Sequence, residues 1–302
     1  MNKIERLILF FKTLTLPGFD KQPIWEVLKF LITSFNKSAL TVRASSIAYN
    51  MFLALFPALI FFFSALAYVP ISGFTHELLK LLKEVMPTNA YLTIRSTIVD
   101  IVQYKRAGLL SFGFISTLYF ATNGMNALIS AFNATELTFD NRNWFQRRLV
   151  AFVLLIIFSA LIIFAISLLI FSRTTFEYLI EHQIIQKGFL IIILSLAKWV
   201  IVLSSFFFAI SFLYYFAPAK KSKFRFFSAG STLATILVLL ISLGFSYYVN
   251  NFGQYNKIYG SIGTLIVLML WIYFNSLALL IGYELNWSIR HTKNKRKELN
   301  NG

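Results

Sequence analysis

Six predominantly apolar runs alternate with polar, mostly basic segments along this chain: Ser46–Val69, Leu109–Phe132, Leu149–Phe171, Phe189–Phe216, Phe226–Val249 and Ser261–Trp287. A helix needs about 20 apolar residues to cross the hydrocarbon core of a bilayer, and every run reaches that length. All are too long for a transmembrane β-strand, and in lipid the backbone has to satisfy its own hydrogen bonds. The pattern therefore predicts an all-α, polytopic membrane protein with six transmembrane helices. The second run is the least apolar, because it carries Asn123, Gly124 and Asn126. The fourth contains one charged residue, Lys198, and the sixth one, Glu284.

Outside these runs two segments keep a helical period. Ile24, Val27, Leu28 and Leu31 recur on one face after Pro23, which predicts a short helix lying on the membrane surface. In the long loop Pro70–Gly108, leucines at 78, 79, 81 and 82 alternate with Lys80, Lys83 and Glu84, and a second helical stretch, Tyr91–Tyr104, follows Pro87. Two interfacial helices, or a cap over an outward cavity, both fit that loop. The expected organisation is an N-terminal segment 1–45 with its interfacial helix, a transmembrane domain 46–287, and a basic tail 288–302 that is expected to be poorly ordered, as termini usually are.

Charge sets the orientation. Lys and Arg number 19 in the segments on the side of the termini and 8 on the opposite side, most of the latter in the one long loop. The positive-inside rule then places both termini in the cytoplasm. With 58% hydrophobic and 13% charged residues the chain has about half the charge of a soluble domain. Its net charge of +16 is explained by topology and anionic lipid rather than by nucleic acid, which is not an expected partner. The absence of cysteine excludes disulfides and thiolate chemistry. His76, His182 and His291 fall in three separate polar segments, so no metal motif is expected, and no cofactor.

Candidate functional residues are those that are expensive at membrane depth. Lys198 lies about eight residues, ~12 Å, inside the outer end of the fourth run; a snorkelling or pore-facing structural role and a functional role are both open. Glu284 lies near the cytoplasmic end of the sixth run, followed by Asn286. Its depth matches Tyr49 and Asn50 in the first run and Asn126 and Asn133 late in the second, with Arg43, Arg147 and Arg148 at the rim. These residues are expected to form a polar cluster where three helices meet, either an interhelical clasp or the inner end of a substrate path. Pro57 falls within the first run and removes one helical hydrogen bond, which predicts a kink. Gly260 and Gly263 would let the start of the sixth run approach a neighbour closely.

The stretches ASSIAYNMFLALFP from Ala44, FAPAKKSKFR from Phe216 and YGSIGTLIVLMLWIYFNSLALLIGYELN from Tyr259, with Ala131-Phe132-Asn133, resemble the YihY/virulence factor BrkB family of bacterial inner-membrane proteins. The resemblance covers roughly Ala44 to Asn286, and its closing motif is the most specific part. Asn50 and Asn123 depart from the family pattern. The resemblance implies six transmembrane helices in the bacterial plasma membrane and no single settled activity. Members have carried a ribonuclease BN label and have been linked to serum resistance or envelope lipid export. Scattered histidines and few carboxylates cannot supply the clustered ligands of a metal nuclease, so the chain is not expected to be an enzyme. The expected function is transport or flipping of a lipophilic or amphipathic envelope molecule, with membrane lipids as partners and a lipid-like substrate. The alternative is a non-transporting scaffold that binds partners through its basic faces.

Overall fold

The computed structural model describes residues 14–15, 18–20, 22–37, 39–68, 95, 99, 105–136, 140–181, 187–220, 227–251 and 261–301. The long segment 70–104 with both of its expected amphipathic stretches, His76, His182 and Gly260 lie outside the described residues, Arg95 and Val99 apart. Among the described residues the regular structure is helical: α1 Ile24–Lys37, α2 Leu40–Leu66, α3 Ala107–Thr135, α4 Trp144–Glu181, α5 Lys187–Phe216, α6 Ala229–Asn251 and α7 Ser261–Asn301. Five of them, α2 and α4 to α7, are long and apolar enough to cross a membrane. α3, at 29 residues, has the length but is interrupted by Asn123, Asn126 and Asn133 and does not join those five. Pro57 sits inside α2, whose helix runs uninterrupted across it.

α2 and α3 form an antiparallel pair in constant register. Gly113 lies against Phe61, where an added Cβ would meet the Phe61 backbone at 3.0 Å, and Gly124 lies against Met51, where it would meet the side chain at 3.1 Å. Further along, Arg43 of α2 reaches the carbonyl of Ala131 in α3. Small residues at these points let the two backbones approach, which is the main source of helix association in lipid. α4 packs on α3 and α5, α6 on α5 and α7, and α7 touches α1, α2, α3 and α6. The buried centre is aromatic. Phe132 stacks on Tyr283 with ring centroids 4.3 Å apart, and Tyr214 meets both rings edge-on at 5.5 and 5.4 Å.

The closest helix approach that glycine permits among the described residues lies between α6 and α7. A Cβ on Gly230 would overlap the carbonyl oxygen of Gly282, and a Cβ on Gly282 would lie 2.5 Å from the carbonyl oxygen of Gly230. Only glycine fits either position. α1 buries Ile24, Val27 and Leu31 against Leu285 and Ile289 of α7, while Trp25, Leu28 and Ile32 remain on its exposed side.

The tail corrects the expectation of disorder. α7 continues without a break to Asn301. Tertiary contacts hold this extension: Ile289 packs on α1, Arg290 pairs with Glu136 at 3.0 Å, and Lys293 pairs with Asp20 at 2.8 Å. The residues beyond them are mostly Lys, Arg, Glu and Leu, which favour helix.

Candidate functional site

Three helices meet around Glu284. The α2–α3 register puts Arg43, in the first turn of α2, opposite the last turn of α3, and α7 crosses behind both. Arg43 Nη2 donates to Glu284 Oε1 at 2.9 Å. Its Nη1 donates to the Ala131 carbonyl and to Thr135 Oγ1, each at 2.7 Å. Thr135 Oγ1 in turn donates to Glu284 Oε1 at 3.0 Å. Glu284 has no exposed surface and the Arg43 side chain is 12% exposed. A carboxylate this deep is retained as an ion only with a paired and hydrogen-bonded cation, and the guanidinium fork supplies both from one side chain. Thr135 is not among the candidates read from the sequence. Its place one turn beyond Ala131, on the stripe of α3 that faces Arg43, is a spacing signal that becomes visible only once the α2–α3 register is known.

The other candidates separate into different networks. Asn133 does not reach Glu284: its amide donates to Asp140 at 2.9 Å and its carbonyl accepts from the Ala219 N–H at 2.8 Å. Arg147 also turns to Asp140, pairing at 3.5 Å and donating to the Asp140 carbonyl at 2.8 Å. Arg142, which no sequence pattern singles out, grips Asp140 at 2.8 Å and the Ala217 carbonyl at 3.0 Å. This knot ties the α3–α4 loop to the end of α5. Burial pushes the Asp140 carboxyl up, but the hydrogen bonds from Arg142 and the charges of Arg142 and Arg147 outweigh it and leave the group below its ordinary value. Arg148 reaches away from the rim, donating to Asn123 Oδ1 and to the Tyr119 carbonyl at 3.1 Å, with its guanidinium 4.7 Å from the Tyr119 ring centre. Asn286 faces α6: its Oδ1 accepts from the Gly230 N–H at 2.8 Å and its amide donates to Ser228 Oγ at 2.9 Å. Tyr49 is 55% exposed on the outside of α2, and Lys198 is exposed on α5.

A groove of about 420 Å³ runs along the outside of the α2–α3 pair beside the Glu284 knot. Arg43, Ser46, Asn50, Asn123, Asn126 and Ser130 give it a polar lining. Two buried polar atoms of its lining residues, Arg43 Nε and Asn126 Oδ1, have no hydrogen-bond partner among the described residues. An apolar recess of about 270 Å³ lies between α3 and α4, lined by Leu118, Tyr119, Phe145, Leu149 and Phe152 together with Arg148. The Arg148–Asn123 bond joins the two spaces. No group of three or more His, Asp or Glu side chains among the described residues is placed to hold a metal ion.

Long apolar helices, glycine-mediated helix crossings and a buried ion pair between helices distant in sequence define a polytopic α-helical membrane protein. The profile of the virulence factor BrkB family matches residues 31–301, and the chain belongs to that family. It is 32% identical over 272 residues to the ribonuclease-like protein YfkH of Bacillus subtilis (strain 168), covering 90% of this chain and 96% of that protein. It is 25% identical over 254 residues to the UPF0761 membrane protein NT05HA_1801 of Aggregatibacter aphrophilus (strain NJ8700), covering 83% of this chain and 87% of the relative. A third relative, the UPF0761 membrane protein NTHI0384 of Haemophilus influenzae (strain 86-028NP), is 24% identical over 254 residues, covering 83% and 90% respectively. No solved structure matches the chain.

Proposed function

We propose that this protein transports or flips an amphipathic envelope molecule in the bacterial plasma membrane, with the α2–α3 groove as the inner end of its path. The observation that carries this reading is the polar lining on an otherwise apolar helix pair. Ser46, Asn50, Asn126 and Ser130 line a groove that opens on the outside of the pair, where lipid alone would leave their polar groups unsatisfied. From Arg43 to Asn50 the lining extends ~10 Å along the helix axis, the reach of a polar headgroup entering the apolar layer. The recess beside Tyr119 and Phe152 is apolar, as an acyl or isoprenoid tail requires. The Arg43–Glu284 pair fixes a cation at the mouth of the groove without leaving its charge uncompensated.

The same reading takes α3 as a sixth span. It accompanies α2 from Arg43 to Phe61, ~27 Å of helix, so it reaches whatever depth α2 reaches. With six spans and the basic segments facing the cytoplasm, both termini lie inside. Reporter fusions at Gly188 and Gly253 are expected outside and fusions at Lys221 and Gly302 inside; a cytoplasmic signal at Gly253 sinks this topology. The functional test is reconstitution in liposomes carrying a fluorescent phospholipid. Transbilayer movement above that of protein-free vesicles is expected, and Asn126→Leu combined with Ser130→Leu is expected to reduce it while the protein remains folded. Vesicles with and without protein that behave alike would remove transport from consideration for that lipid class and favour a scaffold.

A further inference from the structure

On the opposite side of α7 from the Glu284 knot lies a second cavity, of about 380 Å³. We propose that it is a binding site for a phosphate-type anion, the group carried by an anionic lipid headgroup. Among the described residues four cations, Lys220, Arg290, Lys293 and Lys297, line it with a single carboxylate, Asp20. The three α7 residues fall three and four positions apart, on one stripe of the helix, and Lys220 faces them from the segment that follows α5. Arg290 and Lys293 are each held by a carboxylate, Glu136 at 3.0 Å and Asp20 at 2.8 Å. Lys220 and Lys297 have no such partner among the described residues. Lys220 and Lys297 are both exposed, and two ammonium groups that face one cavity repel each other, weakly where water screens them. A phosphate placed between them relieves it.

The walls are built rather than incidental. Gly18 adopts φ +86°, and a Cβ there would lie 3.3 Å from the Ala229 nitrogen, so the turn ahead of α1 is pressed against the start of α6 and closes one side. α1 sets the depth. It packs through Ile24, Val27 and Leu31 on Leu285 and Ile289, next to Asn286 and Arg290 of the cavity, and exposes Trp25, Leu28 and Ile32. An amphipathic helix with exposed Trp, Leu and Ile lies at the boundary between headgroups and acyl chains. The cavity is therefore held at headgroup level. This site shares no lining residue with the groove and stands whether or not the protein transports.

The test is lipid retention by the full-length protein in detergent, read by native mass spectrometry with phosphatidylglycerol and phosphatidylcholine in parallel, with a melting-temperature arm in inorganic phosphate. Phosphatidylglycerol is expected to stay bound in preference to phosphatidylcholine. At about fivefold for each lysine near an anionic surface, Lys220→Gln combined with Lys297→Gln should weaken retention roughly 30-fold, whereas Lys295→Gln combined with Arg296→Gln, which removes the same charge outside the cavity, should change it by less than about threefold. Stabilisation of the wild type by inorganic phosphate, lost in the first double variant, would identify a free anion as sufficient; retention of the lipid without any phosphate effect would identify the headgroup as the ligand. Equal losses in both double variants would show a diffuse basic surface and overturn the site. So would the absence of any response to either phosphatidylglycerol or phosphate.

Discussion

On the side of α7 turned to α2 and α3, Glu284 is fully buried and Arg43 and Thr135 converge on one of its oxygens. On the side turned to α5 and α6, Arg290 and Lys293 are paired, but Lys220 and Lys297, which face the same cavity, have no carboxylate paired to them among the described residues. Both sides are polar, and charge balance separates them. Where a buried carboxylate is held by a cation in a dry site, the pair fixes helix positions and removing either partner is severe. Where cations are in excess over an open cavity, the fold tolerates their loss and the ligand does not.

The largest expected effect is on the matched side. Glu284→Gln leaves the Arg43 guanidinium buried without its counter-charge and should destabilise the protein by about 3 kcal/mol, visible as thermal unfolding in detergent. Arg43→Met combined with Glu284→Met should recover most of that loss, because an apolar pair of similar volume removes both charges together. A Glu284→Gln protein as stable as the wild type would break the comparison. Next, Gly282→Ala drives a methyl into the Gly230 carbonyl and should cost about 1 to 3 kcal/mol by pushing α6 from α7; Gly244→Ala, with open space around its Cβ position, should have no such effect.

Smaller is the contribution of Asp140. Its carboxyl titrates below the unfolded value of 3.8, so its stabilisation is present above that pH and disappears as pH falls through the lower folded value. Unfolding followed between neutral and acid pH should show a loss in this window that Asp140→Asn lacks. The smallest effect belongs to the partly exposed Lys293–Asp20 pair: Lys293→Ala should change stability by less than about 1 kcal/mol.

Much of the helical pattern is legible in the sequence because a bilayer imposes it. Apolar runs of spanning length have few alternatives, and the helices coincide with those runs to within a few residues, except at α4, which runs on to Glu181, and at the start of α2 and the end of α7, where polar residues continue the helix. Glu284 stands out for the same reason, as the only charged residue of its run. Its surroundings are less legible. Asn133, Arg147, Arg148 and Asn286 sit at matching depth in the sequence, yet depth along a helix axis says nothing about rotation around it. A turn of about 100° per residue sends Arg147 to Asp140 and Arg148 to Asn123, and puts Glu284 and Asn286 on opposite sides of α7.

The information carried by the chain alone is therefore one-dimensional: which segments are helices apolar enough for lipid, how basic residues distribute between them, and that a carboxylate at position 284 requires a partner. The identity of that partner comes from packing. The antiparallel register of α2 and α3, set by the close approaches at Gly113 and Gly124, brings Arg43 and Thr135 to Glu284. The bonds that join Asn133 to Ala219 and Arg142 to Ala217 hold the segment after α5, whose Lys220 lines one cavity with the α7 stripe of Arg290, Lys293 and Lys297. Partners 70 to 241 positions apart carry no local signal for each other, because packing between helices, not propensity within them, fixes their rotation.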